Sequence, residues 1–141
     1  LTQRAVRDRL DVRAAIESRG GRLACRNASD DDIAALRRTH DEMMGLYHAR
    51  NRLEYYRRNQ SIHSAIARLS GNALLASMHQ VIQARLKRIR FIGNEEPAKW
   101  AAAVAEHEEM IAALEARAAG RLAGVIVRHL EETWSHVVDK V

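Results

Sequence analysis

Four polar side chains stand at positions where an amphipathic helix normally presents apolar residues to a protein core. They are Asn59 and His63 in the segment NQSIH, His107 in AEHEEMI and His129 in VRHLEE. An imidazole that leaves water without a partner costs free energy, so several of them on buried faces favour a shared partner. Imidazole is a common ligand of borderline divalent metals. We therefore interpret the four residues as ligands of one metal ion, zinc or nickel.

Two other interpretations of these histidines stay open. A single histidine on an apolar face is usually a structural core residue that bonds to a backbone carbonyl or to water. Hydrolysis by a metal-bound water is the second alternative, and it requires an acid or base beside the metal. We find no Asp or Glu on the same helix faces, since Glu106, Glu108 and Glu109 are interpreted as a solvated face. This absence disfavours catalysis.

The helices that position these residues follow from the 3.6-residue period of the apolar side chains. Ser29 is an N-cap candidate, Pro97 suits a first helical turn, and the run 70–72 ends a helix. Gly20 and Gly21 interrupt the first helix. The predicted helices cover about residues 3–26, 30–49, 52–69, 73–92, 97–118 and 121–139. We predict one all-α domain over residues 1–141, an antiparallel bundle of about six helices that encloses a metal and ligand pocket.

The four candidate ligands fall on three of these helices. Asn59 and His63 are one turn apart on the third helix, so their side chains share a face. His107 and His129 each replace an expected aliphatic residue at the centre of the apolar stripe of the fifth and the sixth helix. The remaining histidines are assigned to surface or edge positions: His40, His48, His79 and His136.

Composition narrows the class of protein. The chain has 141 residues, of which 47% are hydrophobic and 29% charged, the balance of a globular domain. Its single cysteine, Cys25, excludes an internal disulfide and favours a cytoplasmic setting, and no apolar run is long enough to span a bilayer. The net charge is +5, but basic residues are spread among acidic ones and aromatic residues make up only 4%, which disfavours direct nucleic-acid binding. The chain begins without Met inside helical sequence, so we expect a fragment of a longer protein.

The run RNQSIHSAIARLSGNALL resembles a helix of the FCD domain, the C-terminal effector-binding and dimerisation domain of the FadR subgroup of GntR transcriptional regulators. The order of Asn59, His63, His107 and His129 agrees with the family pattern, and LDVRAAIE is similar to the family's first helix, in which an Arg and a Glu recur. The resemblance extends over essentially the whole chain.

The resemblance implies a helical bundle that binds a metal through an Asp or Asn and three His. It also implies a small carboxylate metabolite beside the metal, a homodimer, and operator DNA bound by an N-terminal winged helix-turn-helix domain of the parent protein. Many members carry Asp where this sequence has Asn59, and a neutral amide oxygen binds a cation more weakly than a carboxylate does.

A carboxylate effector needs a cationic partner in the pocket. Arg13 matches the family's Arg on the first helix and is the first candidate. Arg85 follows the row Met78 and Ile82, which we interpret as inward-facing, and is the second. Two further candidates are Asn72 and Tyr55. The alternative role of Asn72 is a helix cap, and that of Tyr55 is a core position.

The leading hypothesis for function is a non-catalytic sensing and dimerisation domain of a transcriptional regulator. Effector binding beside the metal would reposition helices across the dimer and change the spacing of the DNA-binding modules. This hypothesis predicts an exposed apolar surface on one or two helices. The alternatives are a metal-dependent hydrolytic enzyme in a helical bundle and a dimerisation module whose histidines are structural.

Overall fold

The computed structural model describes residues 2–93 and 95–141. Its elements are α1 (Gln3–Asn27), α2 (Asp30–His48), α3 (Arg52–Leu69), α4 (Ala73–Gly93), α5 (Pro97–Glu115), α6 (Ala119–Val137) and a short 3₁₀ turn (Val138–Lys140). These described residues contain no strand, so the prediction of an all-α bundle of six helices is confirmed. No helix among them combines the length and the apolar character needed to cross a bilayer.

Side-chain caps explain where several helices begin. The Thr2 hydroxyl accepts a hydrogen bond from the Ala5 backbone N–H at the start of α1. Ser29 and Asp32 form a reciprocal capping box at the start of α2. Asn72 Oδ1 accepts from the Leu75 N–H, 3.0 Å away, and so caps α4. Capping satisfies backbone donors that lack an intrahelical partner. These caps therefore fix where the helices begin.

Gly20 and Gly21 do not interrupt α1, which is continuous from Gln3 to Asn27. A Cβ on Gly20 would lie 3.1 Å from Leu75 Cδ2, and a Cβ on Gly21 would lie 2.9 Å from Ile126 Cδ1. The two glycines therefore allow α4 and α6 to approach α1 closely. The helix continues through both glycines, as the predicted range of 3–26 requires, because the packing of neighbouring helices outweighs the low helix propensity of glycine.

The bundle core has an apolar part and a polar part. The apolar part includes fully buried Ile62, Leu86, Ile111 and Ile126. The polar part consists of charged and imidazole side chains: Arg13, Glu17, His40, His63, His79, Arg90, Glu106, His107 and His129 are all buried. Buried charges are costly unless they are paired or bind an ion, so this cluster is the natural place to look for a site.

Helix α4 turns an apolar stripe to solvent. Leu74, Met78 and Val81 are 71%, 51% and 57% exposed, and residues 73–84 contain no charged side chain. Met78 was expected to face inward together with Arg85, and the structure corrects this, since both are exposed. The buried face of α4 instead carries His79, Ile82, Gln83, Leu86, Ile89 and Arg90. The outer stripe is as apolar as a core stripe, and for that reason Met78 was placed on the wrong face, while Ile82 of the same predicted row is buried.

Candidate metal centre

Helices α3, α5 and α6 each bring one histidine to a common point inside the bundle. His63, His107 and His129 are buried, and one ring nitrogen from each lies within 4.8 Å of the other two. The Nε2 atoms of His63 and His107 are 3.0 Å apart. The structure thus gathers into one cluster the three histidines that the sequence places on separate apolar stripes.

The chemistry of this donor set fits a divalent metal. Burial lowers the pKa of the His63 imidazole to about 3 and holds the pKa values of His107 and His129 well below their usual range. The rings are therefore neutral, the form that binds metals. Two nitrogens bound to one tetrahedral zinc at about 2.0–2.1 Å are roughly 3.3 Å apart, which is close to the separation of His63 and His107.

Two buried carboxylates lie behind the histidine rings. Glu17 Oε1 on α1 is 3.0 Å from His63 Nδ1, and Glu106 Oε1 on α5 is 3.1 Å from His129 Nδ1. A carboxylate can only accept, so Nδ1 of His129 carries the hydrogen and its Nε2 does not, whereas His63 Nδ1 is equally close to Glu17 but is not aligned as a hydrogen bond. The expectation that no acidic residue accompanies the histidines was therefore wrong.

The environments of the two carboxylates differ. Burial by itself would raise the pKa of Glu17, but His63 and the Arg13 guanidinium outweigh burial and hold that pKa well below its usual range. Burial raises the pKa of Glu106, partly offset by Arg128. Neither carboxylate was recognisable from helix periodicity, because Glu17 lies on a helix without a ligand and Glu106 precedes His107 on the next face. Only the packing of α1 and α6 brings them to the rings.

A buried guanidinium also reaches the cluster. Arg90 Nη2 on α4 donates to His129 Nε2 at 3.0 Å and approaches His63 Nε2 at 3.4 Å. Burial lowers the pKa of Arg90 to about 9. Among the described residues no acidic side chain forms an ion pair with it. Sequence reasoning missed Arg90; the available signal was its position four residues after Leu86, on the buried face of α4.

A small cavity of about 10 Å³ lies beside His129, between α3, α4, α5 and α6. Asn59, 3% exposed, and Tyr55, 1% exposed, line it together with Arg90. Other lining residues are Gly93, Ala103, Glu106, His129, Glu132, Thr133 and His136. The pocket wall thus presents an amide, a guanidinium and hydroxyl groups next to the metal-binding nitrogens.

The remaining sequence candidates lie elsewhere. Arg13 is fully buried on α1, where it donates to Glu17 and to Gln83 Oε1 at 3.1 Å each. Arg85 is exposed and lines a surface groove near the chain's C-terminal end. Asn72 caps α4. Of the four side chains considered for effector binding, Tyr55 is the one that lines the pocket beside the histidines.

Two histidines assigned to the surface are in fact buried. His79 Nε2 is 2.6 Å from Glu17 Oε1. The His40 ring stacks on His107 at a centroid distance of 6.1 Å, and its Nε2 lies 2.6 Å from Glu108 Oε2. His40 continues an apolar stripe of α2 with Leu36 four residues earlier, a signal that the sequence offered. His79 lies three residues before Ile82 on the buried face of α4, which was a second available signal.

Comparison with known proteins places the chain in a family. No curated protein matches it significantly. The sequence model of the FCD domain, a regulatory effector-binding domain, matches residues 8–132. This match covers α2 to α5, most of α1 and α6, the three clustered histidines, both carboxylates behind them and Arg90. The chain therefore belongs to the FCD domain family.

Proposed function

We propose that this chain is the metal-dependent effector-sensing and dimerisation domain of a GntR-family bacterial transcriptional regulator. The observation that carries the proposal is the convergence of three neutral imidazoles beside a polar pocket in an FCD domain. Operator DNA would be bound by a winged helix-turn-helix module of the parent protein, in the cytoplasm. The domain itself is proposed to bind ligands without turning them over.

The metal would be held by His63, His107 and His129, with the Asn59 amide oxygen as the fourth ligand. Zinc and nickel suit this set, since both accept imidazole. Asn59 lines the pocket beside His129, which supports its inclusion. When bound, the metal supplies a fixed positive charge that attracts an anionic ligand.

A small organic acid is the effector class that the charge of the pocket lining favours, and the cavity of about 10 Å³ must widen to admit it. Arg90 is buried and lines the pocket, and its Nη1 has no hydrogen-bond partner among the described residues, so this nitrogen is available to a carboxylate. Charge-assisted hydrogen bonds of this kind are strong when desolvated. Arg13 is less suited, because it is already paired with Glu17 and does not line the pocket. Tyr55, Asn59 and Thr133 complete a polar lining that would orient the acid.

The test of this function is thermal unfolding of the zinc-loaded chain with a panel of mono-, di- and tricarboxylic acids. At least one acid is expected to stabilise the protein by about 2.7 kcal/mol at 100 times its Kd. The same acid should lose most of this effect after the metal is removed by chelation. Stabilisation by no acid in the panel would contradict the sensing proposal.

The hydrolytic alternative now depends on Glu106, which lines the pocket and is also in contact with a candidate metal ligand. Glu106 is within 3.1 Å of His129 Nδ1 and 3.7 Å of Arg128 Nε. Its position behind a ligand ring suits orientation of that ring better than activation of a water. We therefore keep sensing as the proposed function, and turnover of an ester or amide that is lost in Glu106→Gln would favour the enzyme instead.

The exposed stripe of α4 is proposed as the homodimer face. Leu74, Met78 and Val81 form an uncharged apolar strip on a chain in which 29% of residues are charged. Exposed apolar strips of this kind mark protein interfaces. Because α4 also carries Arg90, a ligand that binds Arg90 would act directly on the helix at the dimer face. This geometry supplies a route from effector to quaternary arrangement.

Met78→Lys is expected to convert the dimer to a monomer, because it places a charge at the centre of an apolar contact. Light scattering coupled to gel filtration measures the change. Leu53→Lys, at a similarly exposed apolar residue on α3, is the matched control and should remain dimeric. A Met78→Lys protein with the same mass as the wild type would reject the α4 face.

A further inference from the structure

One carboxylate oxygen joins three buried side chains behind the histidine cluster. Glu17 Oε1 lies 3.0 Å from His63 Nδ1, 2.6 Å from His79 Nε2 and 3.1 Å from Arg13 Nη2. All four side chains are at most 1% exposed. A carboxylate in such a place would cost several kcal/mol if it lacked partners, so its position is set by these contacts.

We infer that Glu17 is a positioning residue of the metal centre, which holds the His63 ring with Nε2 turned toward His107 and His129. This inference rests on the proposed metal binding. Glu17 accepts the hydrogen of Nδ1, fixes the ring's tautomer and increases the electron density that Nε2 offers to a cation. The Nδ1 and Oε1 atoms are 3.0 Å apart but off the direction of a hydrogen bond in this structure, so the inference includes an alignment that metal binding would complete.

The surroundings of Glu17 keep it fixed as an anion. Arg13 is on the same helix one turn earlier, and its guanidinium contacts the same oxygen. Arg13 is held in turn by Gln83 Oε1, and Gln83 donates to Ser64 Oγ at 2.7 Å. The carboxylate therefore belongs to a network that spans α1, α3 and α4, which ties the orientation of His63 to the packing of these three helices.

The competing explanation is that Glu17 only neutralises Arg13. Both explanations predict a loss of stability when Glu17 is replaced, because Arg13 would be left buried without an anion. They differ at the metal. A counter-ion for Arg13 has no bearing on the metal once Arg13 is gone, whereas a positioning residue for His63 still affects affinity and ligand geometry.

The experiment measures zinc affinity by competition with a chromophoric chelator and the visible absorption spectrum of the Co²⁺-loaded chain. The variants are Glu17→Gln and the double replacement Arg13→Met with Glu17→Leu, in which both buried charges become apolar. Glu131→Gln, which breaks a surface pair with Arg7, is the control. We expect zinc binding to weaken about 10- to 100-fold and the Co²⁺ spectrum to change in both Glu17 variants, with the control unchanged.

The outcomes separate this inference from the function on which it rests. A wild-type chain that binds neither Zn²⁺ nor Co²⁺ would overturn the proposed metal site and this inference with it. A wild-type chain that binds metal, together with a folded double variant of equal zinc affinity and identical Co²⁺ spectrum, would overturn the role of Glu17 alone.

Discussion

His107→Leu is expected to abolish tight metal binding while leaving the metal-free fold at least as stable as the wild type. His107 is fully buried against the rings of His40, His63 and His129, and its Nδ1 has no hydrogen-bond partner among the described residues. Leucine would fill this position without an unpaired polar atom. Since loss of an outer-sphere partner already weakens metal binding 10- to 100-fold, loss of a ligand should weaken it by more than about 100-fold.

The measurement for His107→Leu is thermal unfolding of both proteins with chelator and with added zinc. The wild type should gain stability from zinc and the variant should not. The variant is therefore expected to be at least as stable as the wild type in chelator and less stable in zinc. His48→Leu, at an exposed histidine of α2, is the control and should respond to zinc as the wild type does. A His107→Leu protein with an undiminished response to zinc would contradict its role as a ligand.

Arg90→Met is expected to remove the response to a carboxylate effector and to strengthen metal binding. The guanidinium contacts the Nε2 atoms of His63 and His129, so a metal there would be repelled by its positive charge. Methionine keeps the apolar stem and removes this repulsion. A hydrogen bond to a charged group contributes about 1.5–3 kcal/mol, so effector affinity should fall by roughly 10- to 150-fold.

Titration calorimetry of the zinc-loaded chain with the acid found in the thermal screen measures this effect. Arg85→Met is the matched control, because Arg85 lies on the same helix but faces solvent. It should bind the acid as the wild type does. Loss of binding in Arg85→Met with retention in Arg90→Met would move the effector site to the surface of α4 and contradict the pocket proposed here.

Local sequence signals predicted the helices well and their ends less well. The third helix was predicted as 52–69 and is Arg52–Leu69, because Asn51 caps one end and Ser70 with Gly71 follows the other. The fifth was predicted to reach residue 118 but ends at Glu115. The chain turns there at Arg117, which has a positive φ of 51°, and the surrounding run of alanines carries no stop signal.

The residues of the candidate site also differ in how far the sequence of a single helix reveals them. Histidines that interrupt an apolar stripe are visible in one helix at a time, so His63, His107 and His129 were recognisable from sequence. Glu17 and Arg90 contribute through contacts between helices, and a charged residue on a buried face does not by itself indicate which group it contacts. The apolar outer strip of α4 also led to the wrong orientation of Met78. When both faces of a helix carry apolar residues, the sequence does not show which face is buried.

The resemblance to the FCD domain supplied the effector class and the partners, which periodicity alone does not indicate. The match over residues 8–132 confirms the membership of this family. Arg13, the first candidate for effector binding because it matches the family's arginine, is instead paired with Glu17. The two arginines therefore have different surroundings: Arg13 neutralises the carboxylate behind His63, and Arg90 lines the pocket.

Metal content and unfolding temperature of the purified chain, measured before and after chelation, test the central claim most directly. We expect one zinc or nickel ion per chain, a clear fall in unfolding temperature when the ion is removed, and recovery when it is restored. A chain that purifies without a transition metal, takes none up and unfolds at the same temperature in chelator and in zinc would contradict the account of a metal centre at His63, His107 and His129.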